Sequence, residues 1–132
     1  KVLKRREPLM RGFDDVFLAP HSRHTGIDDE KIAKDDRLTI LAESDIAGSF
    51  IVMAEKGKKI FVTGHPEYDR DTLDKEYKRD LSKGMDIEIP YNYYRDDNPE
   101  NIPLLTWRSH ANALYTNWLD YYVYQNTPYE WN

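Results

Sequence analysis

The sequence predicts a layered α/β fold. Three β-rich runs follow one another closely, at residues 38–42, 49–54 and 59–63. Two later stretches place apolar residues at helical spacing, one around Leu73, Tyr77 and Leu81 and one from Trp107 to Tyr122. The 132 residues are 39% hydrophobic and 13% aromatic, which suits one packed domain and is too apolar for a disordered tail.

Residues 1–15 turn from basic to acidic, contain Pro8 and Gly12, and read as a loop. Val16, Phe17, Leu18 and Ala19 form a short apolar run stopped by Pro20, read as a buried strand. A polar loop, Pro20-His21-Ser22-Arg23-His24-Thr25-Gly26, follows it, and residues 28–34 read as a short helix. The three β runs are nearly continuously apolar, so both faces of each should be covered. Glu55-Lys56-Gly57-Lys58 joins the last two, and Gly57 can supply the positive φ of a tight hairpin. Asp71 is placed to cap the next helix and Gly84 to close it. Pro90, Pro99 and Pro103 make residues 85–105 a long surface loop. Trp107, Ala111, Leu114, Trp118 and Tyr121 or Tyr122 then predict a helix from Thr106 to about Gln125, ended by Pro128.

The chain has no cysteine, which excludes a disulfide scaffold, a thiolate zinc site and a cysteine nucleophile within it. Its net charge of −5 argues against nucleic-acid binding. Its longest apolar stretches are far too short to span a bilayer, so no membrane role is expected. The opening Lys1-Val2-Leu3-Lys4-Arg5-Arg6 does not resemble a native start, and three strands with two long helices leave apolar faces uncovered. Residues 1–132 are therefore expected to be the C-terminal portion of a single larger domain whose other part holds a parallel core.

The sharpest chemical feature is Thr63-Gly64-His65-Pro66-Glu67. A buried strand runs out at Gly64, and Pro66 biases His65 toward extended backbone. Residues i and i+2 of an extended segment share a side, so Glu67 could hydrogen-bond one imidazole nitrogen and leave the other as a general base. His-x-Glu is also what a strand-end histidine beside a solvated glutamate would show.

His21 and His24, with Asp14 and Asp15 nearby, invite a metal reading. In a loop, i and i+3 imidazoles do not converge, and a substrate-contacting loop with Ser22 as donor and Arg23 as anion partner fits better. Arg79 could return toward the strand tip and clamp a carboxylate with its bidentate fork. Lys75 and Lys83 flank it at i−4 and i+4, leaving Glu76 at i−3 as its local acid. Eleven of the 17 aromatic residues lie after residue 90, where core and subunit interface outweigh a ligand platform.

Five blocks together resemble one family. Arg11-Gly12-Phe13-Asp14-Asp15, Ala19-Pro20-His21-Ser22-Arg23, Val62-Thr63-Gly64-His65-Pro66-Glu67-Tyr68-Asp69, Thr106-Trp107-Arg108-Ser109-His110 and residues 117–125 are similar, in order, to the C-terminal part of the homoserine O-succinyltransferase/O-acetyltransferase family of methionine biosynthesis. The resemblance implies a class I glutamine-amidotransferase-like α/β fold and a Cys-His-Glu triad. His65 would be the general base, Glu67 its orienting carboxylate, Arg79 the residue that binds the homoserine carboxylate, and Ser22 the serine of the substrate-binding loop.

It further implies L-homoserine and acyl-CoA (succinyl or acetyl) as substrates, no bound cofactor, no metal, a cytoplasmic location and a homodimer. The nucleophile, its elbow and the donor-selecting residues would lie in the part that is absent, so this chain alone should be inactive. Two other readings stay open on the residues themselves. One is a glutaminase-like hydrolase using the same triad, and the other is a binding module built on the C-terminal aromatics.

Overall fold

The structure, a computed structural model, describes residues 1–127. Pro128, expected to end the last helix, lies outside the described residues.

Three strands, β1 (Leu38–Ser44), β2 (Gly48–Ala54) and β3 (Lys59–Val62), form an antiparallel sheet in the order β1-β2-β3. Leu38 pairs with Ala54 and Ser44 with Gly48, with the register shifting between Ile40 and Glu43, while Ile51 pairs with Val62. At that irregular stretch Val2 bridges Ala42, and the Leu3 N–H donates to the Leu41 carbonyl at 2.8 Å. The N-terminal residues thus occupy part of the open edge of β1, which an unpaired strand otherwise offers to other chains.

β2 is buried from Ser49 to Ala54, as its unbroken apolar run requires. β3 departs from the expectation of two covered faces: Phe61 is 50% exposed. It is an edge strand paired with β2 alone, so its apolar composition does not mean burial here. The β2–β3 connection holds Glu55, Lys56 and Gly57 all at positive φ. Gly57 is required twice over, because a Cβ there would also fall on the Tyr122 ring.

Residues 16–19 are not a strand. Val16 is exposed, Phe17 and Ala19 lean on the main core, and the segment joins no ladder. An apolar run bounded by proline signals burial, and hydrogen-bonding partners decide whether it becomes a strand. Residues 1–15 are a loop except for one 3-10 turn, Pro8–Met10, which inserts Leu9 and Met10 into the core.

Helix α1 (Asp29–Lys34) begins where expected, with the Asp28 side chain accepting from Lys31 N–H at 3.1 Å. Helix α2 (Thr72–Ser82) buries Leu73 and Tyr77, but Leu81, expected on the same face, is 44% exposed. Asp71 precedes it without capping through its side chain, which pairs instead with Lys75 at 2.6 Å. Gly84 closes it at φ +74. Helix α3 (Arg108–Trp118) continues through a π-helical turn, Leu119–Val123, and a last turn, Tyr124–Asn126.

The main core joins the sheet (Leu41, Phe50, Ile51) to Leu9, Met10, Leu114 and Tyr122. A second core gathers Leu73, Tyr77, Tyr93, Tyr94 and Trp107, so much of the C-terminal aromatic density is core. Trp118, expected to face inward, is instead 43% exposed. Asn117 takes the inward position and donates to the Leu9 and Arg11 carbonyls at 2.9 and 2.8 Å. Among the described residues no helix is long and apolar enough to cross a membrane.

Candidate active site

The site forms where β3 runs out. Thr63 stays extended, its N–H donating to the Phe50 carbonyl at 3.0 Å and its hydroxyl to the Ser49 carbonyl at 2.7 Å. Gly64 follows, in a space with no room for a side chain. A Cβ there would lie 2.6 Å from the Pro20 carbonyl oxygen, 2.9 Å from Phe50 and 3.1 Å from His21 Nε2. The next N–H, of His65, donates to the same Pro20 carbonyl at 2.8 Å. This close approach lashes the loop at residues 20–24 to the strand tip.

His65 Nδ1 and Glu67 Oε1 are 2.8 Å apart. The extended segment expected to bring them together is instead a β-turn: Tyr68 N–H donates to the His65 carbonyl at 3.1 Å. Pro66 occupies the position whose φ proline presets. With Nδ1 on the carboxylate, Nε2 has no hydrogen-bond partner among the described residues. An imidazole so held can take a proton at Nε2 while the carboxylate balances the charge.

Tyr68 stacks on the His65 ring, centroids 4.3 Å apart and planes within 12°. Its hydroxyl donates to Glu76 Oε1 at 2.9 Å, and the Ser22 side chain lies beside the Tyr68 hydroxyl itself. Burial first, then Glu76, pushes the phenol up to about 12. Ser22 is therefore in the site.

The two loop histidines part company. His21 packs on Phe50 and next to Gly64, with Nδ1 buried and unpartnered among the described residues. Burial, then the charges of Arg23 and His65, lowers it to about 4, so it is neutral near pH 7. His24 Nε2 instead lies 3.6 Å from Asp80 Oδ2 on α2. Asp14 and Asp15 pair elsewhere, with His110 and Arg5. The groups that invited a metal reading thus go to separate partners. Arg23, weighed as an anion partner, donates to the Ala47 carbonyl at the β1–β2 turn.

Arg79 lies on α2, one helical turn beyond Glu76. Its local acid is Asp80, not Glu76: Nε donates to Asp80 Oδ1 at 2.7 Å. Asp80 is buried, its pKa held down first by the Arg79 hydrogen bond. Adjacent helix residues do not ordinarily face each other, so helical spacing gave no hint of this pair. Tyr68 also joins the site, stacked on His65, although no periodicity marks it. Its place three residues beyond His65 across a Pro-initiated turn is the signal that could have found it.

The described chain is of the α/β class and presents a histidine–carboxylate pair at a strand tip, with a hydroxyl and a guanidinium on neighbouring elements. The family described as homoserine O-succinyltransferase matches residues 1–129, and the chain belongs to that family. A homoserine O-acetyltransferase of Lachnoclostridium phytofermentans is 66% identical over 130 residues, covering 98% of this chain and 43% of the relative. One from Lachnospira eligens is 61% identical over 132 residues, covering 100% and 43%. One from Geobacillus kaustophilus is 60% identical over 123 residues, covering 93% and 41%. The chain thus spans somewhat under half the length of these curated relatives.

Proposed function

We propose that the protein containing this chain transfers an acyl group from acyl-CoA to the hydroxyl of L-homoserine by a Cys-His-Glu ping-pong mechanism. The observation that carries this reading is the 2.8 Å His65–Glu67 contact at the tip of β3, in a chain of this family. We read the whole domain as class I glutamine-amidotransferase-like, with residues 1–132 its C-terminal portion and the cysteine elsewhere in the full-length protein. The names of the relatives favour acetyl-CoA as the donor. A cytoplasmic homodimer without bound cofactor completes the proposal.

In the first half-reaction His65 Nε2 takes the cysteine proton, the thiolate attacks the thioester carbonyl, the carbon–sulfur bond to coenzyme A breaks, and His65 gives that proton to the departing thiol. In the second, the homoserine hydroxyl attacks the acyl-enzyme while its proton passes to His65 Nε2. Glu67 steadies the imidazolium through Nδ1, and that proton returns to the cysteine as the ester leaves. Arg79 binds the homoserine carboxylate, with Nε held by Asp80, and Ser22 donates from the loop.

The full-length enzyme should show a covalent acyl adduct by intact mass, and about 100-fold or greater loss of kcat in H65A and E67A. R79A should raise the homoserine KM far more than the acyl-CoA KM. Near wild-type kcat in either triad variant would refute the assignment. Ammonia release from glutamine without transfer to homoserine would establish the hydrolase instead.

A further inference from the structure

We propose that Tyr68 is a positioning residue of this site, its ring setting the plane of the His65 imidazole and its hydroxyl tying that ring to Ser22 and to α2. The inference rests on the reading of His65 as general base and extends it to a residue with no assigned role.

Three segments carry the proposed machinery: the loop with Ser22, the turn with His65 and Glu67, and α2 with Arg79. Tyr68 touches all three. Its ring lies 4.3 Å from the His65 ring and nearly parallel to it. Its hydroxyl donates to Glu76 Oε1 at 2.9 Å, one helical turn before Arg79, and the Ser22 side chain lies beside that same Tyr68 hydroxyl.

A histidine at a partly exposed turn, held at Nδ1 alone, can still tilt about its ring axis. A flat partner against its face removes that freedom, while leaving the Nδ1–Glu67 contact and the opposite nitrogen untouched. Tyr68 is itself immobilised: its carbonyl accepts from Trp107 Nε1 at 3.0 Å, and its side chain leans on the second core. With the phenol raised to about 12, the hydroxyl remains a donor at any working pH. The Glu76 oxygen it does not hold is buried and has no partner among the described residues. Glu76 therefore relies on Tyr68 for its hydrogen bond.

Ring and hydroxyl have separable consequences. The ring acts on proton transfer and hence on kcat. The hydroxyl acts on how Ser22 and α2 are set for homoserine, hence on that KM. The test is steady-state kinetics of the full-length enzyme with homoserine and acetyl-CoA, comparing wild type, E67A, Y68F, Y68L, E76A and Y68F/E76A.

Y68F keeps the stack, so its kcat should stay within about threefold while the homoserine KM rises about 5- to 10-fold and the acetyl-CoA KM holds. Y68L removes the stack and should lower kcat about 10- to 100-fold. Y68F and E76A should be strongly non-additive in homoserine KM, since either change breaks the same hydrogen bond. Should Y68L not fold, that double-mutant cycle decides alone. Additive effects, an unchanged homoserine KM in Y68F, or wild-type kcat in Y68L would each overturn the proposal. Full activity in E67A would instead remove the reading of the site on which it stands.

Discussion

Substituting Gly64 by alanine tests how the strand tip is built. Gly64 is not among the positive-φ glycines, so alanine is compatible with its backbone and the effect isolates contact. The added Cβ would lie 2.6 Å from the Pro20 carbonyl oxygen and 2.9 Å from Phe50. The carbonyl belongs to the backbone and cannot swing aside as a flexible side chain would. It also accepts the 2.8 Å hydrogen bond from His65 N–H, so moving it loosens the histidine.

Overpacking of this kind costs about 1–3 kcal/mol, and a weakened buried hydrogen bond adds about 1 kcal/mol. Together they amount to a loss of about 2–4 kcal/mol in the stability of the domain. Displacement of the base by about 1 Å corresponds to a fall of about 100-fold in kcat. Urea unfolding of the full-length enzyme followed by tryptophan fluorescence measures the first, and initial rates of homoserine acylation measure the second. A G64A enzyme with wild-type midpoint and kcat would show that the loop and the strand tip are not locked together as described.

Two further outcomes follow from the packing of His21 and Asn117. His21 is lowered from 6.5 to about 4, chiefly by burial, so between those values the unfolded chain binds the extra proton. The resulting stability is complete above about pH 6.5 and is lost as pH falls toward 4, and H21N should flatten that acid-side slope in urea midpoints measured from pH 4 to 7. N117A strands the buried Leu9 carbonyl and removes the part-buried bond to the Arg11 carbonyl, and should cost about 1–3 kcal/mol in the same unfolding assay, whereas a loss below about 0.5 kcal/mol would deny Asn117 its role in holding that turn.

Much of the architecture is local and could be read directly. The strands at 38–44, 48–54 and 59–62 are β-branched and apolar, and Gly57 marks their hairpin because a side chain there would meet both a positive φ and the Tyr122 ring. Helix α2 ends at Gly84 for the same conformational reason. Leu9 and Met10 gave no such signal. Their burial follows from a single turn docking beneath α3, which no periodicity announces.

The candidate site divides the same way. Sequence by itself determined that a histidine and a glutamate stand two residues apart at the end of a strand, with a serine-bearing loop upstream and an arginine on the following helix. It also carried the family, through five short blocks in order. Tertiary structure alone decided that the pair closes through a β-turn, that Asp80 and not Glu76 holds Arg79, and that His21 is a buried neutral ring. It also placed Tyr68 between Ser22, His65 and Glu76. Spacing reports which side chains can share a face. Which of them meet depends on the approach of segments more than 40 residues apart, such as the Pro20 carbonyl meeting the His65 amide, and that approach exists only once the core has formed.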